Sequence, residues 1–139
     1  MRFMLGTWNC KSVKNLNGRG RQRTETDVTT FALGDHYLRT KVVSPPYDPL
    51  RARPLVSERW IGWDSAKNQW YALRMTSYGF FGYSVSPGWV GNRIVFSFLY
   101  SSHGRMPAEA TYTKVSPTKM NYSFVVQGQS LSSDCVKTR

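Results

Sequence analysis

Few side chains in this 139-residue chain have the types and spacing that chemistry requires. Its two cysteines, Cys10 and Cys135, stand near opposite ends. Neither belongs to a Cys-x-x-Cys pair or a histidine cluster, which argues against a zinc site. The two histidines are His36 and His103. His36 and Glu58, on neighbouring predicted strands, form a conceivable acid–base pair, although nothing in their spacing requires one. There is no Gly-x-Ser-x-Gly, no paired metal-ligating histidines and no convincing carboxylate dyad. Catalysis therefore has weak support, and no metal or cofactor is expected. The stronger constellation is aromatic: Trp60, Trp70, Tyr83, Phe96, Phe98, Tyr122 and Phe124, with Arg74 alternating with Trp70 and Ala72. On the inner face of a barrel these rings would either line a pocket for a flat apolar molecule or fill the interior solidly. An inward Arg74 would suit an anionic head group such as a carboxylate, with Arg39 or Arg59 as substitutes. Glu58 alternates with Val56 and Trp60 in the same way, and any such charge pointing inward needs a partner.

Strands are the elements that would position these groups. Apolar residues at helical spacing are absent over any three-turn stretch, whereas period-two segments broken by turn residues recur throughout. They predict ten strands over residues 3–13, 21–33, 36–43, 55–63, 69–77, 79–85, 93–101, 108–115, 119–127 and 130–137. Asn17-Gly18 supplies the positive-φ residues of the first hairpin. Glycines 79 and 82 in the sixth segment point to bending or to close approach by a neighbour. Residues 44–54 hold four prolines in eleven positions, which forbids a central strand there. This stretch is either a stiff crossover or a flap over a binding site. The pattern predicts an all-β fold: an antiparallel up-and-down ten-stranded barrel spanning residues 1–139 as a single domain. Closing the last strand on the first would bring Cys10 opposite Cys135, at a separation a disulfide accepts. The alternative is two unrelated thiols.

Composition bounds the rest. Hydrophobic residues make up 40% of the chain, which excludes disorder, and no apolar run is long enough for a membrane helix. The formal charge of +11 admits anionic partners. No run of four or more Lys or Arg occurs, so a solvated basic surface accounts for the charge as well. Arg19, Arg21 and Arg23 alternate and would share one strand face, where they could track a polyanion backbone. A nucleic-acid role rests on this alone. The expected partner is a small apolar or amphipathic molecule. A disulfide would imply an oxidising compartment, secreted or periplasmic, with any leader removed ahead of Met1-Arg2-Phe3; a cytoplasmic location stays open.

With the strands in order, Gly6-Thr7-Trp8 resembles the Gly-x-Trp of lipocalins, calycin-type barrels in which the Trp plugs the closed end beneath a basic residue. Here Lys137 or Arg139 would supply that residue. The chain is also similar to a lipocalin-like family of small, often secreted bacterial barrels. The likeness is carried by Gly6-Thr7-Trp8, by the hairpin Gly62-Trp63-Asp64-Ser65-Ala66-Lys67-Asn68-Gln69-Trp70-Tyr71 and by Asp35-His36-Tyr37-Leu38. It implies a ten-stranded barrel and transfers no catalytic residues. Nitrobindin-type haem barrels are a more distant likeness. They ligate iron through a histidine near the mouth, for which this chain offers only His36 and His103.

Overall fold

A computed structural model describes residues 1–16, 19–46, 53–105 and 107–138. The Asn17-Gly18 turn, the centre of the 44–54 loop and the Arg139 alternative lie outside the described residues. Eleven strands form one antiparallel sheet: β1 (Gly6–Leu16), β2 (Arg19–Ala32), β3 (Tyr37–Ser44), β4 (Leu55–Asp64), β5 (Gln69–Thr76), β6 (Phe81–Ser86), β7 (Trp89–Val90), β8 (Arg93–Ser101), β9 (Ala108–Ser116), β10 (Lys119–Val126) and β11 (Gln129–Lys137). Neighbours in sequence pair except β6 and β7; β6 pairs instead with β8, and β1 with β11. Ten strands thus close a ring, and the two-residue β7 is an addition hydrogen-bonded to β8. Closure satisfies both edges, which removes the hazard of an exposed strand.

The expected strands are all present, with two corrections. Residues 2–4 form a 3-10 turn, not the start of β1. Gly6, at φ 114°, lets the chain swing from that turn into the strand. The second correction concerns Tyr100, which strict period-two alternation over residues 93–101 puts on one face with Ile94, Phe96 and Phe98. A register shift between Tyr83 and Ser84 in the β6–β8 pairing inserts one residue, so Tyr100 turns outward and is 54% exposed. The glycine at 82 does accommodate a neighbour: a Cβ there would lie 2.6 Å from the Phe98 ring.

Alternation sets an inner face with three levels. At one end Trp8 is fully buried, beside Met4, Leu38, Ile61, Ile94 and Met120. Its indole N–H donates to the Met4 carbonyl at 2.8 Å, and Lys137 Nζ sits 5.4 Å from the ring centroid, as the Gly-x-Trp likeness implies. Cys10 and Cys135 face each other across β1 and β11, with Cα atoms 4.0 Å apart, and form a disulfide. Above them lies a polar belt, and beyond it the opposite rim.

Candidate functional site

The polar belt is built mainly by β2, whose Thr-rich, charged sequence looks like a solvated strand. Glu25 and Asp27 instead point inward and are 6% exposed each. Glu25 accepts hydrogen bonds from Ser12 and, at 2.6 Å, from Ser44, and Arg23 lies 3.2 Å away. Burial alone would raise the pKa of this carboxyl. Arg23, the two hydroxyls and the more distant Arg59 outweigh it and hold Glu25 below the ordinary carboxylate range. Asp27 accepts from Arg59 Nη2 at 2.5 Å. Its deeper burial, with Glu25 nearby, still pushes its pKa up against the pull of Arg59. Arg59 also donates to the Tyr112 hydroxyl at 2.8 Å, and its guanidinium carbon lies 4.9 Å from the Tyr122 ring centroid. Burial pushes the Tyr112 phenol up to about 12, so it stays neutral while Arg59 stays charged.

Beyond this belt, between the ends of β1, β2, β4, β5, β10 and β11, a cavity of ≈130 Å³ opens at the rim away from Trp8. Leu55, Phe124, Val126 and Leu131 give it apolar walls, and Lys14, Arg23 and Arg74 give it cations. Arg74 is set by β5 pairing: it stands opposite Arg59 on one side and Gly82 on the other. The absent side chain at Gly82 leaves room for the Phe98 ring, which packs edge-on against Phe124 with centroids 5.4 Å apart. The Arg74 guanidinium carbon lies 5.3 Å from the Phe124 ring centroid. Among the described residues no carboxylate ion-pairs with Arg74, and its buried Nε has no hydrogen-bond partner.

The other expected residues divide by face. Trp70, Phe96, Phe98 and Tyr122 point inward with Arg74 and Phe124, but most of these rings fill the barrel. Phe96 is 1% exposed and Trp70 packs against the core near the plugged end. Filling therefore prevails through the lower part of the lumen, and lining only at the rim. Trp60 and Tyr83 are on the outer face. In the β4–β5–β6 register Trp60 sits opposite Leu73, and Leu73 opposite Tyr83, one position out of phase with the inward Arg59–Arg74–Gly82 row. There, Tyr37 packs on Trp60 and on Tyr71, while Tyr71 approaches Tyr83, with centroids 6.2–6.3 Å apart.

Glu58 is also outside, bonded to Arg39 and to the Trp60 indole N–H, and the Arg39 bond holds its pKa below the ordinary carboxylate range. His36 is exposed in the turn before β3, whereas Glu58 faces Lys41, five residues along that strand. At about 3.4 Å per residue that is roughly 17 Å, so no acid–base pair forms. His103 is exposed in the β8–β9 turn, its ring centroid 5.9 Å from that of Phe80. Of the basic trio, Arg23 turns inward to Glu25, so the continuous outer stripe needed to track a polyanion is not formed by it. Arg39 and Arg59, the substitutes for Arg74, are both committed to carboxylates. Among the described residues no cluster of His, Cys, Asp or Glu could hold a metal ion. Among the described residues no helix is long and apolar enough to cross a membrane.

Comparison with solved structures places the fold. No protein-family profile matches the chain, and no curated protein matches it in sequence. Rv2717c from M. tuberculosis is similar over 99% of this chain and 94% of its own, with TM-score 0.74 and 12% identity. The S-type phycobiliprotein lyase CPES from Guillardia theta is similar over 99% and 90%, with TM-score 0.73 and 10% identity. A redesigned β-barrel, mFAP0, bound to DFHBI, is similar over 97% and 99%, with TM-score 0.54 and 12% identity. At these identities the likeness is one of barrel architecture.

What the rim can do chemically follows from its lining. Apolar walls give non-directional binding energy, and the cations favour an anion over a neutral or positive group. The volume is well below the roughly 300–1,000 Å³ of a pocket that encloses a drug-sized ligand. It approaches the ~150 Å³ that accommodates a single benzene ring.

Proposed function

We propose that this protein is a lipocalin-like barrel that binds a small amphipathic molecule at the mouth opposite Trp8. The observation that carries this reading is the ≈130 Å³ rim cavity, in which Leu55, Phe124, Val126 and Leu131 face Lys14, Arg23 and Arg74. The plugged end, with Trp8 beneath Lys137, supports the lipocalin-like assignment. Small-molecule occupancy of a barrel of similar architecture, mFAP0 with DFHBI, is consistent with it. The single covalent cross-link supports a protein that works outside a reducing compartment, secreted or periplasmic. Residues 1–139 act together as one domain in this reading, since β1 and β11 close the same ring.

Native mass spectrometry against a panel of one-ring and short-chain acids, alcohols, amides and amines tests the reading. The expected result is 1:1 adducts with some members, displaced by one another in competition. Absence of a saturable adduct with any member would refute it.

A further inference from the structure

Arg74 borders more than the rim. It lines the mouth cavity, and it also lines two inner cavities of about 20 Å³ each. One of these lies toward Glu25, Asp27 and Cys135, the other toward Ala72, Ser84 and Phe96. Arg59 and Tyr122 border both inner spaces. Among the described residues Arg74 alone borders all three spaces, although Arg23, Leu55 and Leu131 also stand between the rim and the cavity toward Glu25.

Its electrostatic situation differs from that of its neighbours. Arg23 is fixed by Glu25 and Arg59 by Asp27. Arg74 acts on Asp27 only from a distance and makes no contact ion pair among the described residues; its guanidinium lies over the Phe124 ring, and its Nε, like those of Arg23 and Arg59, is a buried donor with no acceptor. A buried donor left unsatisfied is costly, and an ionised acceptor reaching it gains a charge-assisted bond. A guanidinium presents Nε–H and Nη–H in a fork that matches two carboxylate oxygens.

We infer that Arg74 is the specificity-determining residue of the mouth site: it grips a carboxylate head group that enters first, and its side chain forms the floor that limits the ligand to about one ring. The inference rests on the binding reading above and adds orientation, charge and length to it. A carboxylate on Arg74 directs the apolar part of the ligand outward along Phe124, Leu55 and Val126. A longer ligand meets the Arg74 guanidinium, held over the Phe124 ring, before it reaches the inner cavity toward Phe96. Removing the side chain would open the rim space toward the cavity at Ala72, Ser84 and Phe96, with which it shares no other lining residue among those described.

Calorimetric titration of the full chain with benzoate, benzamide, octanoate and octanamide tests this, using the wild type, Arg74→Met, Arg74→Ala and the outer-face control Lys41→Ala. One charge-assisted pair corresponds to a benzoate preference over benzamide of roughly 10–100-fold in the wild type and in Lys41→Ala. Arg74→Met, which keeps an apolar stem, should bring that ratio close to one while benzamide still binds. Arg74→Ala should in addition raise the affinity for octanamide relative to benzamide. An unchanged benzoate preference in Arg74→Met would assign the anion to Lys14 or Arg23 and overturn the anchor. An unchanged length preference in Arg74→Ala would overturn the floor. Binding of neither aromatic compound by the wild type would contradict the small-molecule reading itself, a separate result from equal binding of both, which contradicts only the inference about Arg74. Circular dichroism of each variant confirms that the barrel is folded.

Discussion

Reducing the Cys10–Cys135 bond should cost this barrel much of its stability, and the size of the loss can be worked from topology. The cross-link joins residues 125 positions apart, so it constrains almost the whole unfolded chain. On the loop-entropy model a closure of that length is worth roughly 5 kcal/mol at 25 °C, near the upper end of the range measured for natural disulfides. The native state has little need of it for alignment, because β1 and β11 are already paired in register from Trp8–Lys137 to Asn15–Ser130. The effect therefore falls on the unfolded ensemble. With a urea dependence of about 2 kcal/mol per M, reduction of the wild type should lower the urea midpoint by about 2–2.5 M, with the slope rising because the unlinked unfolded chain exposes more surface. Reduced wild type keeps both buried sulfurs, so this comparison isolates the cross-link. Cys10→Ala with Cys135→Ala should lose a further ~1–2 kcal/mol, because both side chains pack in the core. Intact mass after alkylation without reductant should show no modified thiol. A midpoint shift below about 0.5 M, or two alkylated thiols in the untreated protein, would refute the latch and the reasoning from chain entropy.

Three further outcomes follow from the polar belt and the outer face. Asp27→Ala leaves the Arg59 guanidinium buried without its carboxylate and should destabilise by roughly 3–5 kcal/mol, whereas Asp27→Leu with Arg59→Met should recover most of that loss in denaturant melts. The pKa of Glu25 is depressed in the folded state, so its stabilising contribution is present above its ordinary value of 4.5 and is lost as pH falls through the folded value. Glu25→Gln should accordingly be less stable than wild type at pH 7, with the difference closing in acid; a constant difference across pH would contradict the assignment. On the outer face Tyr71 donates to the Tyr37 hydroxyl at 2.9 Å, which, with partial burial, pushes its own phenol up to about 12. Tyr37→Phe should return that titration toward 10, read as phenolate absorbance in an alkaline titration of the variant against wild type.

The ring of ten strands was legible because each β segment carries its own period-two signal and each break its own turn residues. The disulfide and the Trp8–Lys137 contact were legible for a further reason: both follow once the first and last strands are adjacent. The belt was not. Glu25 and Asp27 lie among threonines in a strand whose outer face is also polar, so alternation gives no contrast between the two sides. Charged residues are normally exposed unless paired, and the partner of Asp27 is Arg59, two strands away across β3. Single-strand periodicity contains nothing of that pairing. Trp60 and Tyr83 were misplaced because aromatic character was read as inwardness, although this barrel carries a cluster of rings outside. Gly62 permits that cluster: a Cβ there would lie 2.7 Å from the Tyr71 ring. Arg74 was placed on the correct face by its alternation with Trp70 and Ala72. Its lack of a carboxylate partner, which sets it apart from Arg23 and Arg59, emerges only when the strands are assembled.

The central claim is a location: ligand at the mouth, away from Trp8. Backbone amide shift mapping during a benzoate titration of isotope-labelled protein tests it most directly. The account predicts saturable shifts at Leu55, Phe124, Val126 and Leu131, with Trp8, Leu38 and Ile61 at the plugged end unmoved. Shifts centred instead on Trp60, Tyr71 and Tyr83, on the outer face of the barrel, would contradict it.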